Sequence, residues 1–200
     1  VGYNLRFHPL LKKLREFLKN KKLWNINIFC GSYLPDWRPG IDYRKTSSAL
    51  KNLGGGVLLD LSHELDYLLW LVGTIEVEHA VNKKVSDLEI DTDDILLLSG
   101  KNKNGAHIHI SLNYFSRKSY RRILVDGEGF SIQGDLISNK LEVVENGKES
   151  IFTWPKLERN KTYKDQHLAI LEGESKKACT FKEGLEVMRL IERTRSFSNL

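Results

Sequence analysis

The sequence contains little cysteine and no long apolar run, and both absences narrow the class of protein. Its only two cysteines, Cys30 and Cys179, lie far apart and outside any metal-ligand spacing. This usage is typical of a reducing compartment, so we predict two buried free thiols and a cytoplasmic location. No stretch approaches the roughly 20 apolar residues that cross a bilayer, and residues 1–6 do not resemble the start of a signal peptide. We therefore predict no membrane association.

The net charge raises the question of a nucleic-acid partner. The 200 residues carry a net charge of +5, and residues 11–22 hold six basic side chains against one acidic side chain. Clustered Lys and Arg attract phosphates, but leucines recur in this segment at the spacing of an amphipathic surface helix. We predict no nucleic-acid binding. A basic chain would still tolerate an anionic small substrate, such as a uronate or a nucleotide sugar.

Hydrophobic periodicity predicts an α+β fold. The chain is long enough, with 40% hydrophobic residues, for one substantial core, so we predict a single domain over residues 1–200. Between Ile75 and Trp154 the period is two, and glycine-containing turns separate about five to seven short segments of a mostly antiparallel sheet. Another strand is predicted at 24–30, and helices are predicted at 8–20, 161–176 and 181–197. We expect a large, mostly antiparallel, open-faced sheet with helices packed on one face.

The strand at residues 106–114 predicts the character of the open face. His107, His109, Ser111 and Asn113 point to one side of it, and apolar side chains alternate with them. A His-x-His pair can bind metal, but no carboxylate or third histidine lies nearby in sequence. We predict no metal here, and interpret the row as a polar sheet face that is either solvated or in contact with another subunit.

The segment from Gly54 to Tyr67 concentrates titratable side chains behind three glycines. If residues 57–72 form a helix, Asp60, His63, Glu64 and Tyr67 share a polar stripe opposite a leucine face, with Asp66 beside it. A leucine face packed on a core would hold a proton-transfer group in a constant place. The glycines indicate a sharp turn or a close approach of the backbone, so the helix is expected to start beside a cleft. The alternative is an ordinary solvated helix face.

Residues 31–53 form a long irregular segment rich in side chains that contact ligands. It contains Tyr33, Trp37, Tyr43 and Arg44 among prolines and glycines. Long loops in compact domains are often functional, and aromatic and basic side chains stack on and hydrogen-bond to small molecules. The alternative is a loop anchored in the core by its aromatic rings.

Taken in order, these segments resemble the C-terminal domain of the Gfo/Idh/MocA oxidoreductases, which act on sugars, inositols and nucleotide sugars. The similarity spans nearly the whole chain and is carried by four stretches. These are Gly2 to Pro9, Tyr33 to Trp37 with Asp42 to Arg44, Gly54 to Asp66, and Phe181 to Val187.

The resemblance implies a cofactor, NAD or NADP, that the family binds mainly on an N-terminal Rossmann domain with a Gly-rich turn and a Glu-Lys-Pro motif. No strand, Gly-rich turn and helix precede Val1. We therefore expect these residues to be a separated substrate domain that is inactive by itself. The resemblance also implies a small-molecule sugar substrate and homo-oligomers formed through the open sheet face.

The resemblance further implies which residues carry the reaction. Family members oxidise a hydroxyl group with an Asp and, four residues later, a His that removes the proton. Asp60 matches that Asp, but Glu64 stands four residues on and His63 only three. Both can lie beside Asp60 on a helix, so either can be the base, and His63 is slightly favoured. Expected substrate contacts are Arg6, Tyr33, Trp37, Tyr43, Arg44 and Tyr67.

Two readings compete with a dehydrogenase domain. One is a stand-alone ligand-binding or oligomerisation module without redox activity. The other takes Asp60, His63 and Glu64 as ligands of a hydrolytic metal ion, but the segment lacks a His-Glu-x-x-His arrangement and an obvious remote ligand. Arg6 also has a structural alternative, which is pairing with a carboxylate.

Overall fold

The period-two segments form one sheet. The computed structural model describes residues 1–174 and 177–198, and within them eight strands and five helices. The strands are β1 (Leu23–Gly31), β2 (Ile75–Lys83), β3 (Ile95–Asn102), β4 (His107–Asn113), β5 (Tyr120–Gly127), β6 (Phe130–Asp135), β7 (Lys140–Glu145) and β8 (Lys148–Thr153). The helices are α1 (Pro9–Leu18), α2 (Val57–Asp60), α3 (Ser62–Val72), α4 (Lys161–Leu171) and α5 (Phe181–Ser198).

The sheet is mostly antiparallel, and its strand order is β2-β3-β4-β1-β5-β6-β7-β8. Strands β2 to β8 are the segments predicted between Ile75 and Trp154. The strand predicted at 24–30 enters the middle of the sheet, parallel to β4 and antiparallel to β5. The predicted α+β class is therefore confirmed. The parallel pair has a consequence for the site, because the carboxyl ends of β1 and β4 lie at the same sheet edge.

One face of the sheet carries the core. Inward side chains of the central strands, such as Ile28, Ile110 and Ile123, pack with helix leucines such as Leu14 and Leu65 in one buried cluster. Each such side chain contributes about 1.5–3 kcal/mol through its burial. The opposite face carries His107 and His109, which are exposed as the alternation predicts. Both cysteines are buried free thiols, as expected.

The helices agree with the predicted segments except at their ends. Pro9 stands in the first turn of α1, and His8 caps that helix by accepting the N–H of Leu10 on Nδ1 at 3.2 Å. The predicted helix at 161–176 ends earlier, at Leu171, and residues 175–176 lie outside the described part of the chain. Among the helices that the structure describes, none combines the length and apolar content that a membrane span requires.

The helix predicted over 57–72 is divided in two at Leu61, whose φ is −98° and ψ 23°. Asp93, in the loop before β3, caps the first piece: its carbonyl accepts the N–H of Val57 at 3.0 Å and its Oδ2 accepts that of Leu58 at 2.9 Å. The two pieces are therefore α2, fixed by a loop, and α3, which is enclosed by the core.

The glycines before α2 are required by close packing. A Cβ on Gly55 would lie 2.1 Å from the carbonyl oxygen of Ser47. Gly56 has a φ of +112°, and a Cβ there would lie 2.3 Å from Oδ1 of Asp93. A side chain at either position would force the backbone apart. Gly54 and Gly55 line a concavity of about 610 Å³, whose lining includes Leu59 but neither Asp60 nor His63.

Candidate active site

Asp60, the last residue of α2, lies at the sheet edge where β1 and β4 end. Its Oδ2 accepts the O–H of Tyr114 at 2.8 Å, and Asp60 itself is half-buried. Tyr114 directly follows β4, and its ring lies edge-on to that of Trp37 with 5.2 Å between centroids. Burial, and then the Asp60 charge, raise the pKa of Tyr114, so the phenol stays protonated and keeps donating to the carboxylate.

His63 occupies the first turn of α3, three residues after Asp60. Its ring is half-buried and meets the ring of Tyr3 edge-on, with 5.4 Å between centroids. Within the described residues its Nδ1 is buried and has no hydrogen-bond partner. Burial lowers the pKa of His63, and the neighbouring Glu64 charge opposes that shift only in part. The imidazole is therefore neutral at physiological pH, which is the form that can accept a proton.

Glu64 is not on the polar stripe that helical spacing predicts, because its side chain is fully buried. Arg121 of β5 forms a bidentate ion pair with this carboxylate, with Nε 2.5 Å from Oε1 and Nη2 2.9 Å from Oε2. Tyr67 is likewise fully buried. The prediction that these two side chains face a cleft is wrong, since the sheet covers this side of α3 and supplies an arginine there.

Asp66 and Arg6 form a second buried pair. Nε of Arg6 lies 3.0 Å from Oδ2 of Asp66 and Nη2 lies 2.7 Å from Oδ1, while Nη1 reaches Glu183 at 2.7 Å. Arg6 is only 3% exposed. The predicted substrate contact of Arg6 therefore gives way to its structural alternative, because Asp66 lies inside and needs a charge partner.

The loop side chains separate into two groups. Trp37 packs on the ring of Tyr114, which bonds to Asp60, and Tyr33 precedes Leu34, which donates its N–H to the carbonyl of Tyr114 at 2.8 Å. Tyr43 and Arg44 turn instead toward Glu89. The Tyr43 hydroxyl accepts the N–H of Glu89 at 3.1 Å. Arg44 is exposed and pairs with Asp42 at 2.9 Å and with Glu89 at 3.1 Å.

Sequence reasoning missed Tyr114 and Arg121. Tyr114 was assigned only to the apolar side of its strand, although a buried tyrosine hydroxyl needs a partner, and that need was the available signal. Arg121 lies on the same side of β5 as Ile123 and Val125, whose side chains point into the core. An arginine on the apolar side of a strand signals a buried carboxylate elsewhere in the chain.

The described residues include a proton acceptor, His63, but neither a Gly-rich turn of the kind that binds a dinucleotide nor a cluster of metal ligands. A dinucleotide requires a Gly-rich turn between a strand and a helix. Here β1 leads into a short 3₁₀ turn at 34–36, and β4 leads through a loop into β5. Over residues 1–174 and 177–198, no three His, Cys, Asp or Glu side chains are placed to share a metal ion.

Comparisons with known proteins identify the family. Residues 11–134 match the model of the GFO/IDH/MocA C-terminal domain, which is more than half of the chain. The chain belongs to the Gfo/Idh/MocA family, and the matched part is the family's C-terminal domain. A search of curated proteins gave no match.

Solved structures share the fold at low sequence identity. A levoglucosan dehydrogenase in complex with NADH has a TM-score of 0.83 and 17% identity over 100% of this chain and 63% of its own. UDP-N-acetylglucosamine 3-dehydrogenase GnnA from Acidithiobacillus ferrooxidans has a TM-score of 0.75 and 17% identity, over 98% and 60%. A putative oxidoreductase from Thermotoga maritima has a TM-score of 0.77 and 14% identity, over 98% and 60%. The chain thus spans about three fifths of these structures.

Proposed function

We propose that this chain is the substrate-binding and catalytic part of an NAD(P)-dependent dehydrogenase that acts on a sugar or a nucleotide sugar. It would work when joined to a Rossmann domain that holds the cofactor. The observation that carries the proposal is the neutral, half-buried His63 three residues after Asp60, across the break at Leu61, in a chain of this family. Relatives of the same fold act on levoglucosan and on a UDP-sugar.

In this proposal His63 is the base. Its imidazole takes the proton of the reacting hydroxyl, and Asp60 orients that hydroxyl or the ring beside it. Tyr114 holds Asp60 in place through the hydrogen bond to Oδ2, which leaves Oδ1 for the substrate. A nicotinamide cofactor on the other domain would supply the chemistry of accepting the hydride. Glu64 serves as an ion-pair anchor, because Arg121 occupies both its oxygens.

Tyr33 and Trp37 are the loop residues we retain as substrate contacts. Both are half-buried, and Trp37 packs against Tyr114, so that their rings could stack on a sugar ring. Tyr43 and Arg44 remain candidates only for a larger substrate that extends toward Glu89. The predicted contacts of Arg6 and Tyr67 would be indirect, because both side chains are buried.

The open sheet face supports the further proposal of a homo-oligomer. Leu97, Val144 and Ile151 are 41%, 43% and 53% exposed there, on strands β3, β7 and β8. Apolar side chains distributed over a wide, flat face favour a second copy of the same surface. A cytoplasmic location remains a prediction from cysteine usage.

The test uses the full-length protein, including a cofactor domain, and measures reduction of NAD or NADP over a panel of neutral and anionic sugars. His63→Ala is expected to lower kcat about 10²- to 10⁴-fold, the range for a general base. His167→Ala, at an exposed position of α4, is the matched control and should retain full turnover. An unchanged kcat in His63→Ala would contradict the proposal. Sugar binding without turnover by the intact protein would favour a stand-alone binding module.

A further inference from the structure

The guanidinium of Arg117 stacks on the ring of Tyr33 but forms no ion pair with a described residue. Arg117 lies in the loop between β4 and β5, and its guanidinium carbon is 3.6 Å from the centre of the Tyr33 ring. Its side chain is exposed, and no carboxylate of the described residues lies within ion-pair distance. Stacking on an aromatic ring fixes the plane of a guanidinium and leaves its N–H groups free at the edge.

The loop that carries Arg117 is held in one shape. Oδ1 of the buried Asn113 accepts the N–H groups of Phe115 at 3.2 Å and Ser116 at 3.0 Å, and also the Ser116 hydroxyl at 2.8 Å. The Asn113 amide donates to the hydroxyl of Tyr120 at 2.9 Å. A pre-formed loop lowers the entropy that a ligand contact would otherwise cost.

Arg117 and Lys118 form the loop side, here called the rim, of a concavity of about 930 Å³ whose other lining includes Arg122 and Leu124 of the open sheet face. Elsewhere in this concavity the cations are already paired, Arg122 with Asp135 at 3.3 Å and Lys140 with Glu142 at 2.7 Å. On the loop rim, Arg117 and Lys118 have no acidic partner in the part of the chain that the structure describes. The unbalanced positive charge is therefore confined to the rim.

The rim is linked to Asp60 indirectly, through the backbone after Tyr33 and the side chain of Tyr114. Tyr33, which carries Arg117, immediately precedes Leu34, whose N–H bonds to the carbonyl of Tyr114, and the Tyr114 hydroxyl bonds to Asp60. Arg38, on the same loop as Tyr33, is a second exposed arginine without an acidic partner among the described residues. Two unpaired arginines thus flank the aromatic side chains next to Asp60.

We propose that Arg117, stacked on Tyr33 and assisted by Lys118, binds an anionic group of the substrate, either a phosphate or a carboxylate. The inference rests on the proposed function for its identification with the substrate, and it narrows the class to a sugar that carries such a group. A neutral sugar would leave the rim charges unused. A guanidinium presents paired donors that fit the oxygens of either group, and Lys118 adds a second positive charge.

The test measures binding to the full-length protein by calorimetry, with inorganic pyrophosphate and glucuronate as probes. Arg117→Gln should weaken the better-bound probe about 10-fold or more, since a hydrogen bond to a charged group is worth about 1.5–3 kcal/mol. Tyr33→Leu should weaken it less, through loss of the stacking surface. Arg159→Gln, at an exposed position outside the rim, is the control and should bind like the parent.

The outcomes separate this inference from the proposed function. Preference for pyrophosphate points to a nucleotide sugar, and preference for glucuronate points to a uronate; both support it. Equal affinity of Arg117→Gln and the parent protein for both probes overturns the inference. Full turnover of a neutral sugar that does not change with this substitution also overturns it. In the second case the dehydrogenase proposal stands. Arg117-dependent anion binding without any turnover would instead remove the dehydrogenase proposal and keep the anion site.

Discussion

Titratable side chains at the start and in the middle of residues 60–66 have opposite surroundings. At the start, Asp60 and His63 are half-buried, and no described residue bonds to Nδ1 of His63. In the middle, Glu64 and Asp66 are fully buried, and both oxygens of each carboxylate accept hydrogen bonds from one arginine. The first pair is partly exposed, whereas the second pair is committed to the fold by its ion pairs.

The difference is made by residues far away in the chain. Arg121 lies 57 positions after Glu64, and Arg6 lies 60 positions before Asp66. Taking a carboxylate out of water costs several kcal/mol unless a well-placed cation repays it. The two arginines thus anchor α3 between β5 and the N-terminal turn. Asp60 and His63 gain a fixed position from these anchors without being neutralised by them.

The largest predicted effect breaks an anchor. Glu64→Leu removes the partner of the half-buried Arg121 guanidinium, so the free energy of unfolding should fall by about 3 kcal/mol, the lower end of the range for a buried pair. Urea denaturation at neutral pH measures it. Glu192→Leu, at an exposed position of α5, is the matched control and should change stability by no more than about 0.5 kcal/mol. The double variant Glu64→Leu with Arg121→Met should recover most of the loss; no recovery would contradict a paired-charge account.

The sequence predicted the scaffold better than the site. Alternation alone places Ile108, Ile110 and Leu112 against the core and His107 and His109 outside, because the period of a strand is fixed by backbone geometry. Helical spacing places Asp60, His63 and Glu64 on one stripe and cannot distinguish Glu64 from the other two, because that difference depends on which strand covers α3. The one signal of the buried pair is Arg121 on the apolar side of β5, and it does not say which carboxylate it meets.

A second prediction concerns the buried His8, whose partners differ from those of the half-buried His63. His8 uses both ring nitrogens, Nδ1 for the Leu10 N–H and Nε2 for Asn139 at 3.1 Å, whereas Nδ1 of His63 has no partner among the described residues. Burial lowers the pKa of His8 from 6.5 to about 4. Its contribution to stability is therefore fully present above pH 6.5 and is lost as the pH falls toward 4. The loss should reach about 3 kcal/mol.

The control for this prediction keeps the helix cap and removes the titration. In His8→Asn the side-chain oxygen can still cap α1, but it takes up no proton in this range. The unfolding free energy of the parent should fall more steeply between pH 6.5 and 4 than that of His8→Asn, and the two should run parallel above pH 7. Parallel curves throughout would show that His8 is not held neutral by the fold.

The smallest predicted effects differ in sign and concern two tyrosines. The Tyr114 hydroxyl donates to Asp60, whereas the fully buried Tyr67 hydroxyl has no partner among the described residues. Tyr114→Phe should cost about 1 kcal/mol, because it deletes one hydrogen bond while the half-exposed Asp60 can turn to water. Tyr67→Phe should be neutral or slightly stabilising, because it removes a buried polar group that gains nothing in return.

Tyr163→Phe, at an exposed position of α4, serves as the matched control for both, and urea denaturation at one pH compares the three. A larger loss of unfolding free energy in Tyr67→Phe than in Tyr114→Phe would contradict the prediction that only the Tyr114 hydroxyl makes a stabilising hydrogen bond. It would mean that the interior around Glu64 and Arg121 contains a polar contact, such as an ordered water, that depends on Tyr67. The middle of the segment would then be a connected polar network, and its separation from the available groups at Asp60 and His63 would be less sharp than the two ion pairs suggest.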